Sequence, residues 1–257
     1  MKKFYRIEDQ GAPRHVIDEG GTWRLLEGDL FDRYQPGDAI PRDGHRLLPP
    51  VMPSKIVCIG LNYKDHAAEQ NKPLPTTPLM FIKPSTAVIG PGEAIVLPEG
   101  VGRVEHEAEV AVVIGRRASH VAEAEAHNYV LGLTCFNDVT ARELQAKGVG
   151  YTHAKSYDTF AAVGPCIATG IDYHAGGGVG IEGWVNGVRR QSSSTAQLVF
   201  PIDHLIAYIT NVMTLLPGDI IATGTPPGVG PLKPGDHVTI KVPGVGELTN
   251  PVQQGRK

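Results

Sequence analysis

Three glutamates alternate along one short stretch of this chain. Glu105, Glu107 and Glu109 are separated by single residues and run into the apolar segment Val110–Ile114, which ends at Gly115. On a β-strand, residues i and i+2 share a face and lie about 7 Å apart, so the three carboxylates would point the same way. Clustered carboxylates beside a buried strand are costly unless a cation lies among them. The stretch predicts a divalent-metal site built on Glu107 and Glu109, with an exposed acidic strand face as the alternative.

A second candidate for chemistry lies in the stretch LNYKDHAAEQ. His66 and Glu69 are three residues apart there, in what we predict to be a short helical turn. Residues i and i+3 lie on the same helix face. A carboxylate beside an imidazole orients the ring and raises its basicity, which suits a general base. An ordinary surface turn is the alternative.

The third stretch is LGLTCFNDVTARELQAKG. It predicts a strand, then Asp138 at a strand-to-helix junction, then a helix over Thr140–Lys147. Asp138 is interpreted as a third carboxylate ligand or as a helix cap. Arg142 and Gln145 are three residues apart, so both could face the same site. Lys155 follows in THAKSYDTF; near carboxylates and a metal it could bind an anionic substrate or stabilise an enolate, and a solvated lysine is the alternative.

The elements that must position these residues are mostly β. The 31 Gly and 21 Pro residues indicate many turns between short strands. KIVCIG at Lys55–Gly60 predicts a buried strand, and Gly20-Gly21 and Asn186-Gly187 predict hairpin turns. The PGD turns at 217–219 and 234–236 each precede an apolar strand.

Two helices are also predicted, one in HVAEAEAHNYV and one in PIDHLIAYITNVMTL. In the second, the apolar face is formed by Ile202, Leu205, Ile206, Ile209, Val212 and Met213. The loop ATGTPPGVGP offers threonine hydroxyls and backbone amides that could hold a carboxylate, although a rigid connector explains it equally well. Lys83, after a strand-like run, is interpreted as a strand-end charge or as a side chain pointing into a cleft.

Composition limits the class of protein. The 257 residues are 41% hydrophobic and 20% charged with a net charge of −3, which predicts a globular core and no nucleic-acid partner. No apolar run is long enough to span a bilayer. The three cysteines are far apart and are interpreted as reduced core thiols of a cytoplasmic protein. We place a boundary near Pro53, with a small β-rich segment over 1–53 and the main domain over 54–257.

Taken together, the stretches resemble the fumarylacetoacetate hydrolase family. The resemblance covers roughly Lys55 to Val242, and its ordered runs are CIGLNYKDHAAE, LMFIKPST, EHEAEVAVVIG, NDVTARELQ, THAKSYDTF and GDIIATGTPPGVG. One such run would carry little weight, whereas six in order are highly specific. A small departure is TFAAVGP, where many members have a proline before the Val or Leu.

The resemblance implies an α+β, mostly β fold: a mixed β-roll or sandwich with a few peripheral helices, usually a homodimer. It implies a role for each of nine side chains: the metal ligands Glu107, Glu109 and Asp138; the catalytic Lys155; the substrate contacts Arg142, Gln145 and Thr225; and the water-activating pair His66 and Glu69 on a mobile lid. Glu105 has no role in that pattern.

Chemistry follows from the residue types. Three carboxylates suit a hard cation, Mg²⁺ or Mn²⁺, and a small-molecule 2-oxo acid can chelate the remaining positions. We expect a metal-dependent hydrolase that cleaves a C–C bond of a 2,4-diketo acid of the acylpyruvate or fumarylpyruvate type. The same site could serve an isomerase of 2-hydroxyhepta-2,4-diene-1,7-dioate in aromatic-acid breakdown, or an oxaloacetate decarboxylase. A non-catalytic metal- or ligand-binding β-domain is the remaining alternative.

Overall fold

Short β-strands rich in branched and aromatic residues make up most of the regular structure. The computed structural model describes residues 1–148 and 150–255. Within those residues the strands are β1 Lys3–Asp9, β2 Ala12–Glu19, β3 Thr22–Gly28, β4 Tyr34–Ile40, β5 Arg46–Leu48, β6 Lys55–Gly60, β7 Leu79–Pro84, β8 Val88–Ile89, β9 Ile95–Leu97, β10 Val104–His106, β11 Ala108–Ile114, β12 Val130–Asp138, β13 Thr140–Ala141, β14 Ala161–Ala168, β15 Gly180–Val185, β16 Val188–Ser194, β17 Ile220–Ala222, β18 Gly230–Pro231, β19 His237–Val242 and β20 Gly246–Gln254.

The helices are few and short. The α-helices in the described residues are α1 Lys64–Glu69, α2 Arg142–Ala146, α3 Tyr151–Lys155 and α4 Ile202–Val212. Three 3₁₀ segments add Ser85–Ala87, Glu123–Tyr129 and Thr195–Gln197. No helix of the described part of the chain has the length and apolar character needed to cross a membrane.

The strands form three sheets. The largest has 12 strands, in the order β4-β3-β2-β1-β14-β12-β11-β17-β6-β7, with β5 paired to β1 and β8 paired to β14. A 5-stranded sheet runs β16-β15-β19-β20-β9, and a 3-stranded sheet runs β13-β10-β18. This arrangement confirms the expected α+β, mostly β fold with peripheral helices.

The N-terminal segment extends the largest sheet. β1 pairs antiparallel with β14, where Phe4 lies opposite Ile167. β2 and β3 form the expected hairpin, with Glu19 opposite Thr22 across the Gly20-Gly21 turn. The division near residue 53 stays a prediction.

The core lies on both faces of the central strand β11. Val110, Val112 and Ile114 belong to the larger apolar cluster, which also takes in residues of the five-stranded sheet such as Ile181. Ala111 belongs to a second cluster on the opposite face. Burial on both faces explains why this part of the sequence is a continuous apolar run instead of an alternating one.

Three local expectations differ from the structure. The helix predicted over Thr140–Lys147 begins only at Arg142, because Thr140–Ala141 pairs with β10. The helix predicted in HVAEAEAHNYV is the 3₁₀ segment Glu123–Tyr129. In α4, Val212 is 60% exposed at the end of the helix, whereas the other predicted apolar positions of α4 itself are buried.

Candidate active site

The three predicted carboxylate ligands converge at the start of β11 and the end of β12. One oxygen from each of Glu107, Glu109 and Asp138 lies within 4.8 Å of the others, and all three side chains are buried. Because β11 and β12 are antiparallel, with Ala108 opposite Asn137, the first residues of one strand meet the last residues of the other. The Asp138 amide also donates to the Glu107 carbonyl at 2.9 Å, which fixes this junction.

Asp138 does not cap α2. The residue that precedes α2 is Ala141, and no side chain caps the helix. The carboxylate of Asp138 instead points towards the lysines and glutamates of the site, so the structure favours the ligand interpretation over the helix-cap interpretation.

Two predicted cationic residues reach this carboxylate cluster. Lys155, at the end of α3, donates from Nζ to Glu107 Oε2 and Asp138 Oδ2, each at 2.8 Å, and to Thr140 Oγ1 at 2.6 Å. Arg142, the first residue of α2, donates from Nη2 to Glu107. Its Nη1 donates to the amide oxygen of Gln145, so Arg142 and Gln145 do face the same site.

These contacts set the charge of Glu107 and Lys155. Burial acts to raise the pKa of Glu107, but the charges of Lys155 and Arg142 outweigh it and lower that pKa to about 2. Burial likewise disfavours the Lys155 ammonium, yet Asp138 and Glu107 raise its pKa above the ordinary value. Both groups are therefore held in their charged forms at neutral pH.

Glu109 is the carboxylate that lacks a cationic partner. Burial, followed by the charges of Asp138 and Glu107, raises its pKa well above the ordinary range. Its polar contact is the Gly224 amide, which donates to Oε2 at 2.9 Å. Among residues 1–148 and 150–255, no lysine, arginine or histidine forms an ion pair with it. A cation bound among the three carboxylates would relieve this repulsion, and an all-oxygen set suits Mg²⁺ or Mn²⁺, so the residues fit the metal.

Glu105 departs from the expected three-carboxylate face. The strand is interrupted at Glu107, between β10 and β11, so the strict alternation of side chains breaks there. Glu105 instead accepts from Arg142 Nε at 2.6 Å and from Arg103 Nε at 2.9 Å. Its carboxylate therefore holds Arg142 in place beside Glu107.

Lys83 is a site residue that the sequence analysis left undecided. Its side chain is fully buried, and Nζ donates to Asp138 Oδ1 and, at 3.1 Å, to the Val139 carbonyl. Phe81, two residues earlier on β7, is also buried. Since i and i+2 share a face of a strand, the aromatic Phe81 two residues earlier was the sequence signal that Lys83 points inward.

The His66–Glu69 pair forms as predicted on α1. His66 Nδ1 lies 2.9 Å from Glu69 Oε2, and the ring is buried although the Glu69 side chain is 44% exposed. Gln70 Nε2 lies 2.7 Å from His66 Nε2. Because a carboxylate oxygen only accepts, a neutral His66 ring carries its proton on Nδ1, facing Glu69, and leaves Nε2 as the acceptor. Nε2 thus carries the lone pair that a general base needs.

Thr225 lies in the Gly/Pro loop ATGTPPGVGP, residues 222–231. Its hydroxyl donates to the Ala108 carbonyl at 3.0 Å and accepts from Gln191 at 2.8 Å. The loop does hold a carboxylate through its backbone, since the Gly224 amide binds Glu109 of the chain itself.

All but one of the predicted site residues line a single cavity. It encloses about 450 Å³ of empty space, counting the part open to solvent, and is lined by His66, Gln70, Lys72, Phe81, Glu107, Glu109, Asp138, Arg142, Gln145, Tyr151, Lys155 and Thr225 together with Ile59–Leu61. Glu69 lies behind His66. The structure therefore brings together a carboxylate cluster, cationic side chains and an imidazole lone pair around one small cavity.

Comparisons with known proteins identify the family of this chain. The family profile described as fumarylacetoacetate (FAA) hydrolase C-terminal matches residues 55–253, and the profile described as Rv2993c-like, N-terminal matches residues 2–50. A family match over most of the chain shows that this protein belongs to the fumarylacetoacetate hydrolase family.

Three relatives show the range of activities that accompany this fold. A mitochondrial oxaloacetate tautomerase of Xenopus laevis is 40% identical over 83% of this chain and 70% of its own. The structure of 2-hydroxyhepta-2,4-diene-1,7-dioate isomerase from Mycobacterium marinum superposes with a TM-score of 0.91 at 37% identity, covering 100% of both chains. That of maleylpyruvate hydrolase from a Sphingobium species, in complex with manganese(II) and pyruvate, has a TM-score of 0.82 at 32% identity, covering 99% and 100%. The chain is thus similar to tautomerases, isomerases and hydrolases of one enzyme family.

Proposed function

We propose that this protein is a metal-dependent hydrolase that cleaves a C–C bond of a 2,4-diketo acid, giving pyruvate and a second acid. The observation that carries the proposal is the His66–Glu69 pair, with its lone pair on Nε2, on the same cavity as Lys155 and the three carboxylates. Glu107, Glu109 and Asp138 would hold Mg²⁺ or Mn²⁺. The manganese and pyruvate of the Sphingobium hydrolase support that choice of ion and product.

The side chains of this protein have distinct tasks in such a reaction. A bound hard cation would supply Lewis acidity towards the 2-oxo acid. Arg142, Gln145 and Thr225 hold the substrate, while the charged Lys155 stabilises negative charge on the pyruvate half. His66, oriented by Glu69, removes a proton from water.

In the proposed hydrolysis, each bond that breaks is matched by a bond that forms. The resulting hydroxide adds to the distal carbonyl carbon, and the C–C bond between that carbon and the pyruvate half breaks. The electron pair of the broken bond remains on the pyruvate half as an enolate, next to Lys155. The proton that His66 took from water is transferred to the carbon of the pyruvate half that carried the broken bond, and this gives pyruvate.

Proton transfer without water attack is the second candidate. The tautomerase and isomerase relatives favour it, and His66 offers the same base for moving a proton between carbon atoms or between carbon and oxygen. Decarboxylation of oxaloacetate would use the same cationic side chains. We also infer that the protein is a cytoplasmic homodimer whose chain divides into two parts near residue 53. The family resemblance supports the homodimer and the division near residue 53. The three free, buried cysteines support the cytoplasmic location.

A turnover screen tests the proposal. Acetylpyruvate, fumarylpyruvate, oxaloacetate and 2-hydroxyhepta-2,4-diene-1,7-dioate are each incubated with the protein in ²H₂O, with Mg²⁺, with Mn²⁺ or with EDTA, and followed by NMR. Metal-dependent release of pyruvate from a diketo acid is the expected result. Deuterium incorporation or isomerisation without cleavage would replace hydrolysis by the second candidate. Tight metal binding without turnover of any substrate would contradict both.

A further inference from the structure

Gln191 occupies an unusual position in the five-stranded sheet. In the edge strand β16, the positions before and after it are exposed, and Gln191 is fully buried. An inward position on such a strand would ordinarily carry an apolar side chain, because a buried amide is costly unless each of its polar atoms is paired.

Each polar atom of Gln191 has two partners. Oε1 accepts from the Ala108 amide at 3.0 Å and lies 3.0 Å from His106 Nδ1. Nε2 donates to Thr225 Oγ1 and to the Pro226 carbonyl, each at 2.8 Å. One side chain therefore joins the strand that carries the metal-binding glutamates to the loop 222–231.

Two glycines leave room for this side chain. Gly183 lies opposite Gln191 on β15, and a Cβ there would come within 2.8 Å of Gln191 Oε1. Gly228 has a φ of +93°, and a Cβ there would lie 2.1 Å from the Arg190 carbonyl oxygen. The backbone on both sides thus accommodates a polar side chain that crosses between the strand and the loop.

The loop continues from Gln191 to the general base. The Gly228 amide donates to Glu69 Oε1 at 3.0 Å, and the other carboxylate oxygen of Glu69 lies against His66. The start of the loop has other anchors, namely Gly224 on Glu109 and Thr225 on the Ala108 carbonyl. The end of the loop is held by β18, where Gly230 pairs with His106 of β10. Between Thr225 and β18, Gln191 holds the loop through the Pro226 carbonyl, two residues before Gly228.

We propose that Gln191 is a positioning residue that sets the place of the His66–Glu69 pair relative to the carboxylate cluster by holding the middle of the loop 222–231. The expected effect of Gln191 on the reaction rate rests on the proposed role of His66. Its effect on the position of the loop rests on the hydrogen bonds alone. A displacement of a base by about 1 Å is enough to slow a reaction strongly, so the loss of this link lowers the rate more than the substrate affinity.

The test compares Gln191→Met with Asn250→Leu in the Mg²⁺-loaded protein. Asn250 is the matched control, because it is a buried amide on the same sheet that donates to the carbonyls of Gly90 and Glu93 at 2.8 and 2.9 Å, away from the site. We expect Gln191→Met to speed amide exchange at Gly228 about tenfold or more and at Gly224 less than about threefold, as local opening predicts.

The kinetic result expected for Gln191→Met is a kcat lowered about tenfold or more, with KM and Mg²⁺ affinity within about threefold. Asn250→Leu should lower thermal stability but should change neither Gly228 amide exchange nor kcat. The milder Gln191→Asn, whose amide cannot reach both strand and loop, should show the same pattern if the methionine variant does not fold.

Unchanged Gly228 exchange in Gln191→Met, or equal effects in Asn250→Leu, would overturn the proposal. If the wild-type protein turns over none of the 2-oxo acids, the proposed function fails, whereas the difference between Gly228 and Gly224 exchange still decides the role of Gln191.

Discussion

The proposed chemistry depends on which atoms of His66 and of the carboxylates already have hydrogen-bond partners. Glu69 holds the Nδ1 side of the His66 ring at 2.9 Å, and the lone pair of Nε2 faces the side-chain amide of Gln70 in the cavity. In the proposed mechanism, water or substrate takes the place of the Gln70 amide at His66 Nε2. Displacement of the Gln70 side chain would then expose the proposed base.

Removing the imidazole should separate catalysis from binding. We expect His66→Ala to lower kcat by about 100-fold or more, the usual contribution of a general base. Because His66 forms no hydrogen bond or ion pair with Glu107, Glu109 or Asp138, Mg²⁺ affinity measured by titration calorimetry should stay within about threefold of wild type. Turnover equal to that of the wild type would remove His66 from the mechanism.

The ion pair between Lys83 and Asp138 gives a prediction about the stability of the fold. Lys83 is fully buried and pairs with Asp138 Oδ1, whereas Lys155 pairs with Asp138 Oδ2. Lys83→Met should lower the free energy of unfolding by about 3 kcal/mol, because it leaves Asp138 with one buried cationic partner instead of two. Urea unfolding measures the loss.

A double variant checks the cause of that loss. In Lys83→Met combined with Asp138→Asn, the buried negative charge is absent as well, so part of the lost stability should return. Additive losses in the double variant would mean that Lys83 stabilises the fold by packing and not by its charge.

At the scale of elements, the two PGD turns show how one local sequence serves different structural roles. Both precede strands as predicted, Ile220–Ala222 and His237–Val242. Asp219 is fully buried and accepts hydrogen bonds from Ser54, Lys55 and the Leu216 amide, which joins β6 to the start of β17. Asp236 is only half-buried and accepts from the Lys233 amide and from Asn186 Nδ2, each at 2.8 Å.

Matched substitutions in the two turns should therefore differ. Asp219→Asn is expected to cost about 3 kcal/mol or more of unfolding free energy, since it leaves Lys55 without its partner and removes charged hydrogen bonds. Asp236→Asn should cost less than about 1 kcal/mol, as for most surface changes. Equal losses in chemical denaturation would show that the turn itself, and not the buried carboxylate, determines stability.

The short helices position chemistry without being stable by themselves. α1, α2 and α3 have six, five and five residues, and they carry His66, Arg142 and Lys155 respectively. Helices this short are not stable in isolation, so the sheets and the ion pairs on their side chains must hold them.

At the scale of the whole molecule, a metal ion should act as a folding ligand. Glu109 is buried with a raised pKa and without an ion-pair partner among the described residues, so a cation that binds the three carboxylates favours the native state. Mn²⁺ at about 100 times its dissociation constant should add about 2.7 kcal/mol to the unfolding free energy. Thermal unfolding with Mn²⁺ and with EDTA measures this.

The control for the metal experiment is Glu109→Gln. This variant loses a ligand but also loses the buried charge, so it should fold without metal and show little increase in melting temperature on addition of Mn²⁺. A full thermal shift in the variant would place the stabilising ion elsewhere.

The sequence by itself determined the strands, the main turns and the types of the reacting groups. Buried strands such as Lys55–Gly60, the hairpin at Asn186-Gly187 and the spacing of His66 and Glu69 are local patterns, because periodicity and turn chemistry act over a few residues. The ordered runs also identified the family, and with it the fold. The roles assigned to the nine side chains stay predictions, although the structure gathers eight of them on one cavity, with Glu69 behind His66.

Only the tertiary structure decided how charge is distributed in the site. Glu105 and Glu107 alternate in sequence, yet a break in the strand sends Glu105 to the arginines and Glu107 to the cluster. The sequence leaves Lys83 open between a strand-end charge and a side chain pointing into a cleft, and Gln191 follows the Asn186-Gly187 turn without a local sign of burial. Both are fully buried beside the site. Their partners lie 34 to 85 residues away along the chain. Such contacts depend on strand register and sheet packing, which no local pattern encodes.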